Sequence, residues 1–217
     1  MIRRTMMALA VAALATGCAV QPRAERDMSA FTAAAPRSIL VVPTVNHSLD
    51  VDAPNYVLTT LPVPLAEKGY YVFPVNTTKL VLEQEGFYEG EKIHQQPPES
   101  LAKLFGADAI LYVTINRWDA QFALITTTVT VDFDYRLVSK DGVEIWKENK
   151  VMRYQPDNNS NAGSPVAALL SAVISAAITR AAPNYMPLTK QANQQVFALG
   201  PSAIPDGPYR AALKPAK

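Results

Sequence analysis

Between residues 128 and 137 every second side chain is apolar. Val129, Val131, Phe133, Tyr135 and Leu137 alternate with Thr128, Thr130, Asp132, Asp134 and Arg136. A period of two belongs to a strand, whose successive side chains point to opposite faces, so this stretch specifies a strand with one buried and one wet face. Slipping it by one residue would exchange the whole apolar set for the charged one. A turn at Asp141-Gly142 returns the chain into a partner strand over residues 144–153. The charges at Lys147, Glu148 and Lys150 suit the edge of a sheet. The register of this hairpin stays open over residues 137–146, because Ile145 and Trp146 are both large and point to opposite faces.

The first half reads differently. Ser38-Ile39-Leu40-Val41-Val42, ended by Pro43, is a short β-branched run of the kind buried on both faces of a parallel sheet. A polar loop over residues 46–52 leads into a helical pattern at Tyr56, Leu58, Leu61 and Leu65, which Pro62 and Pro64 interrupt. Tyr70-Tyr71-Val72-Phe73-Pro74 then completes a βαβ unit. Two short helices are expected near residues 79–85 and 98–105, with Pro98 in a first turn and Gly106 as a stop. His94 falls in the polar loop between them, where a solvated imidazole is expected. Residues 109–115 form a third apolar strand. The fold class is therefore α/β: a mixed sheet with helices packed on it and a β-hairpin meander in the second half.

Beyond the hairpin, residues 156–165 are rich in Asn and Ser and read as a loop. Residues 166–182 are almost wholly apolar, yet short of the roughly 20 residues a membrane-spanning helix needs. Ala168, Ala172 and Ala176 form a small-residue stripe at i, i+4 spacing. A helix apolar on nearly all sides belongs in a core, and a subunit or membrane-surface contact through the alanine stripe is the alternative reading. A last helix is expected near residues 188–199, followed by a Pro/Gly-rich tail over residues 201–217.

The chain's sole cysteine, Cys18, follows Ala15-Thr16-Gly17 and an apolar run of about ten residues, half of a membrane span. Arg3 and Arg4 precede that run. The pattern is a bacterial lipoprotein signal peptide, residues 1–17, cut to leave Cys18 as an acylated N-terminus. Palmitate and diacylglyceryl chains on Cys18 would hold the protein at a membrane. Ala19, in place of an aspartate, favours the outer membrane, with the domain mainly facing the periplasm. Residues 18–36 are Ala-rich and polar and read as a lipidated flexible tether, leaving residues 37–200 as the α/β domain. With its thiol acylated the chain holds no intrachain disulfide, so packing alone must stabilise it.

Charge and residue inventory narrow the function. The full chain has 20 Lys and Arg against 19 Asp and Glu. Removing residues 1–17 takes away Arg3 and Arg4, leaving a balance without the basic footprint that nucleic acid requires. There is no metal-spaced cluster, nucleophile elbow or phosphate-binding glycine loop, so no metal, cofactor or catalytic set is assigned. His47 and His94 are the only side chains of a type available as a neutral-pH base. The best polar constellation is Asn46, His47, Ser48 and Asp50, with Asp52, after the first strand, where open α/β sheets commonly bind ligands or partners. Turn and cap chemistry accounts for the same residue types.

Tyr70-Tyr71-Val72-Phe73-Pro74-Val75, Gly106-Ala107-Asp108-Ala109-Ile110-Leu111-Tyr112-Val113, Trp118, Asp141-Gly142 with Trp146, and Gly207-Pro208-Tyr209 together resemble a family of uncharacterised Gram-negative lipoproteins typified by a neisserial vaccine-candidate lipoprotein. The resemblance covers most of residues 37–210. It implies a fold similar to the N-terminal domain of TolB. It also implies company with relatives of the curli-secretion channel and other lipoproteins, and it admits a homo-oligomer. No catalytic residues come with it. The resulting expectation is a non-enzymatic assembly or accessory component of an envelope secretion complex. A periplasmic binding module for a small or cell-wall ligand is the alternative, and an envelope hydrolase the third.

Overall fold

The computed structural model describes residues 26–122, 127–154 and 185–210. Its frame is a six-stranded mixed sheet of β1 (Ser38–Val41), β2 (Val45–Asn46), β3 (Tyr71–Val72), β4 (Ala109–Phe122), β5 (Thr127–Ser139) and β6 (Glu144–Tyr154). The order is β3-β1-β4-β5-β6, with β2 also paired to β4. β1 runs parallel to both neighbours, Ile39 lying opposite Val72 on one side and Ala109 on the other. Ile39, Leu40, Val41 and Val42 are all fully buried, which is why this strand needs an unbroken apolar run. β4, β5 and β6 follow as an antiparallel meander.

Among the described residues eight helical segments pack on this sheet: α1 (Ser29–Ala34), α2 (Ala53–Thr60), α3 (Pro62–Glu67), α4 (Val75–Gln84), α5 (Gly90–His94), α6 (Pro98–Phe105), α7 (Met186–Gln194) and a π-helical turn (Gln195–Leu199). They divide between the two faces. Phe31, Val57, Leu61, Leu65, Leu188 and Phe197 join Ile39, Val41, Leu111, Phe133 and Tyr135 in the larger core. Leu82, Ile93 and Leu101 join Leu40, Val42, Ile110 and Tyr112 in the smaller one. The strand alternation thus sorts neighbouring residues of β1 and β4 into separate cores.

The helix expected between β1 and β3 is two helices, α2 and α3, meeting at Leu61, because Pro62 fits the first position of a new helix better than the middle of an old one. α6 has the expected bounds, and Gly106 closes it in the left-handed conformation at φ 71°. In the alternating strand, Val129, Val131, Phe133, Tyr135 and Leu137 are buried and Asp134 and Arg136 exposed; Thr130 is buried as well.

The open hairpin register has a definite answer. Leu137 pairs with Trp146 and Val138 with Glu144, so the ladder skips Ile145 in a β-bulge. Ile145 and Trp146, 4% and 3% exposed, thereby reach the same core.

Both ends of the domain extend further than expected. The stretch read as a flexible tether carries α1, whose Phe31 is buried against Tyr70. A single aromatic gives it the apolar anchor that its Ala-rich composition hides. The stretch read as a Pro/Gly tail is docked through residue 210. Ile204 is buried, the Tyr70 hydroxyl donates to the Pro205 carbonyl at 2.8 Å, and the Gly207 and Tyr209 N–H groups donate to Lys68 and Gly69 carbonyls at 2.7 and 3.0 Å. Backbone pairing, invisible to composition, holds it. Cys18, the loop at 156–165 and the alanine stripe Ala168, Ala172 and Ala176 lie outside the described residues. Among the described residues no helix is long and apolar enough to cross a membrane.

Candidate functional site

The constellation of Asn46, His47, Ser48 and Asp50 forms one compact turn where β2 leaves the sheet. Asn46 ends β2, and the His47 N–H continues the ladder by donating to the Ile115 carbonyl at 2.8 Å. From there the polar groups turn on one another. Asn46 Oδ1 accepts from the Ser48 N–H at 3.0 Å and from Ser48 Oγ at 2.7 Å, while Asn46 Nδ2 donates to the Asp50 carbonyl at 2.9 Å. Asp50 Oδ1 accepts the Asp52 N–H at 2.8 Å. This is Asx-turn chemistry. Asp52 occupies the N-cap position of α2 without a side-chain cap bond.

Three aromatic residues complete the turn. Trp118 Nε1 donates to Asp50 Oδ2 at 3.1 Å. Tyr56 stacks on Trp118 with the rings 2° from parallel, and Tyr185 meets the indole edge-on at 5.5 Å. Burial raises the Tyr185 hydroxyl's pKa, assisted by the negative charges of Asp50 and Asp119. Trp118 was legible as a residue of the resemblance; its bond to the loop was not, because 68 positions separate the partners. Braced in this way, the turn presents Leu49 and Val51 outward, Leu49 wholly exposed and Val51 83% exposed. His47 is exposed beside them. The site brings together Asn46, Ser48 and Asp50 as a scaffold and offers an apolar tip, an arrangement suited to contact more than to bond-making chemistry.

A second polar cluster lies under α5. His94 is not solvated. Its Nε2 donates to the Pro43 carbonyl at 3.1 Å and its ring meets Tyr112 edge-on at 5.0 Å. Burial lowers its pKa to about 4, the Pro43 carbonyl and Glu91 opposing the shift and Arg136 adding to it. Tyr112, with the Arg136 guanidinium 4.6 Å from its ring centroid, is pushed up to about 12 by burial. The helix that places His94 is five residues long, too short to print a periodicity.

The third cluster is internal: Tyr135 Oη donates to Asn193 Oδ1 at 2.6 Å, and Asn193 Nδ2 donates to Thr60 Oγ1 at 2.8 Å. All three residues are buried, so the network ties α7 and α2 to β5. Burial raises the Tyr135 pKa strongly, and the negative charge of Asp132 adds to it. Among the described residues no group of three or more His, Cys, Asp or Glu is placed to hold a metal ion.

The GNA1162-like lipoprotein family model matches residues 26–209. Lipoprotein NMB1124/NMB1162 of Neisseria meningitidis serogroup B is 36% identical over 178 residues, covering 82% of this chain and 80% of that protein. The crystal structure of lipoprotein GNA1162 from Neisseria meningitidis superposes with a TM-score of 0.55 at 35% identity, covering 66% of this chain and 98% of that one. A PelC dodecamer from Paraburkholderia phytofirmans is a remote likeness, 13% identical with a TM-score of 0.40 over 65% of this chain and 86% of that one.

Proposed function

The chain belongs to the GNA1162-like family of lipoproteins, and we propose that it works as a non-enzymatic assembly or accessory component of an envelope secretion complex, held by acyl chains on Cys18 at the inner leaflet of the outer membrane. A lipoprotein family implies a membrane-anchored place in the envelope; the leaflet and the secretion role are our reading. The observation that carries it is the loop at 46–52. The Asn46, Ser48 and Asp50 side chains bond to one another, to the loop backbone and to Trp118, and Leu49 and Val51 project outward beside His47. A ligand pocket needs free polar groups converging on a concavity, whereas a protein contact needs a braced apolar projection.

The partner class follows from the family resemblance: an outer-membrane channel similar to the curli-secretion channel, with other lipoproteins beside it. Purification of the acylated protein from membranes tests this. A channel recovered in stoichiometric amount, and lost with Leu49→Asp and Val51→Asp, supports the reading. A bound small molecule without protein partners overturns it in favour of a binding module. The anchor has its own test. Two or more acyl chains hold a protein firmly where one does not, so Cys18→Ser should yield an unprocessed or soluble protein. A mature, membrane-bound Cys18→Ser product would remove the lipid from the account.

A further inference from the structure

The first described residues are fastened to the free edge of the sheet. The Arg26 guanidinium donates to the Lys147 carbonyl of β6 and pairs with the Glu148 carboxylate at 3.1 Å. Both side chains are largely covered, 32% and 17% exposed, unlike a loose surface pair. Immediately afterwards Asp27 Oδ1 accepts the Ser29 N–H at 2.9 Å, and α1 sends Phe31 into the core. Arg26 is thus tied to β6 by its side chain and to the domain by the helix that follows.

This fixes how far the domain can stand from its anchor. Eight Cα steps separate Cys18 from Arg26, so the chain between them reaches at most about 29 Å when fully extended. A domain of this size has a radius of gyration near 15 Å, hence a diameter of about 40 Å. The leash is shorter than the body it holds. It cannot carry the lipid around to the opposite side, where β3 and α4 lie.

We infer that the β6 edge is the membrane-facing side of the domain, with Lys147, Lys150 and Arg153 lying against anionic lipid headgroups; this rests on acylation of Cys18. Among the described residues no strand pairs with the outer side of β6. Its acids are already matched: Lys147 pairs with Glu144 at 2.9 Å and Arg26 with Glu148. Along β6 itself Lys147, Lys150 and Arg153 exceed Glu144 and Glu148 by one positive charge and Arg26 adds another, while Asp132 and Asp134 of β5 are bonded by Asn149. Lys147 and Arg153 stand on one face of the strand and Lys150 on the other, so the cations flank the edge, where anionic headgroups attract them. Charge and leash length point to the same face. The β3 edge then faces away from the lipid.

The test uses the acylated full-length protein in vesicles of phosphatidylethanolamine with one-quarter phosphatidylglycerol and a fluorescent headgroup acceptor. A donor dye is attached at Val151→Cys on β6 or at Gln84→Cys on α4, both exposed positions, with thermal melts to confirm folding. Energy transfer several-fold stronger from position 151 is expected. Equal transfer, or stronger transfer from position 84, overturns the orientation. Arg26→Ala lengthens the leash to α1 and should shrink the difference; an unchanged difference overturns the role of the latch. Replacing phosphatidylglycerol by phosphatidylcholine should also shrink it, and no change overturns the headgroup contact. Mass analysis of the N-terminal peptide separates failure of this inference from failure of the lipoprotein reading: an unacylated Cys18 defeats both, an acylated one with equal transfer defeats only the orientation.

Discussion

Phe133 and Asp134 are adjacent in the chain and opposite in environment. Phe133 has no exposed surface and sits among Trp118 and Tyr135, whereas Asp134 is exposed and accepts hydrogen bonds from Asn116 and Asn149 at 2.6 and 2.8 Å. Phe133→Ala should therefore cost about 3–5 kcal/mol through lost burial and a residual cavity. Asp134→Ala should cost less than about 1 kcal/mol, as exposed positions do. Comparable losses in urea melts would contradict the register. This contrast was readable from alternation alone. His94 was not, since nothing in a polar stretch announces that a five-residue helix will press one imidazole under Pro43. Its folded pKa, about 4, lies below the unfolded value near 6.5, so the unfolded chain takes up the proton first. Stability from the neutral ring is complete above pH 6.5 and is lost as pH falls towards 4. Hence the stability advantage of the native protein over His94→Gln should shrink across that window, by about 3 kcal/mol. A constant gap in melts from pH 7 to 4 would mean that the ring is solvated.

At the scale of elements, a fixed period of two legislates only for an unbroken ladder. The sequence showed a strand, a turn and a second strand, but two large residues in succession at Ile145 and Trp146 asked for the same face. The bulge answers by leaving Ile145 out of the pairing, so that both enter one core. It follows that Ile145→Lys and Trp146→Ala should each destabilise strongly, the first by burying a charge and the second by about 3–5 kcal/mol. A regular strand would spare one of them. Trp146 carries an added term, because its Nε1 donates to the Ser202 carbonyl at 2.8 Å and so ties β6 to the segment after the π turn. The helices obeyed local rules more closely: proline at a first turn and glycine at a C-cap are one-residue signals that no distant contact has to confirm.

The whole molecule is where composition misled most. An Ala-rich start and a Pro/Gly-rich end both read as solvent-exposed chain, yet each is held by contacts with residues far away in sequence. The N-terminal part is held by Arg26 and Phe31. The C-terminal part lies against the turn between α3 and β3, where Lys68 pairs with Asp206 at 2.7 Å and the Arg210 guanidinium donates to the Glu67 carbonyl. Two glycines make this approach possible. A Cβ on Gly207 would stand 2.4 Å from the Gly69 carbonyl oxygen, and one on Gly69 would stand 2.3 Å from the Arg210 nitrogen. The backbones are therefore closer than side chains allow, so Gly207→Ala must push the segment off the turn. The expected cost is about 1–3 kcal/mol, as for other overpacked sites, and Ile204 and the Tyr70 hydroxyl should lose their cover with it. A lower melting temperature together with faster amide exchange at Tyr209 is the expected outcome. An unchanged melt would mean that residues 201–210 are the loose tail their composition describes, and that the domain stands without them.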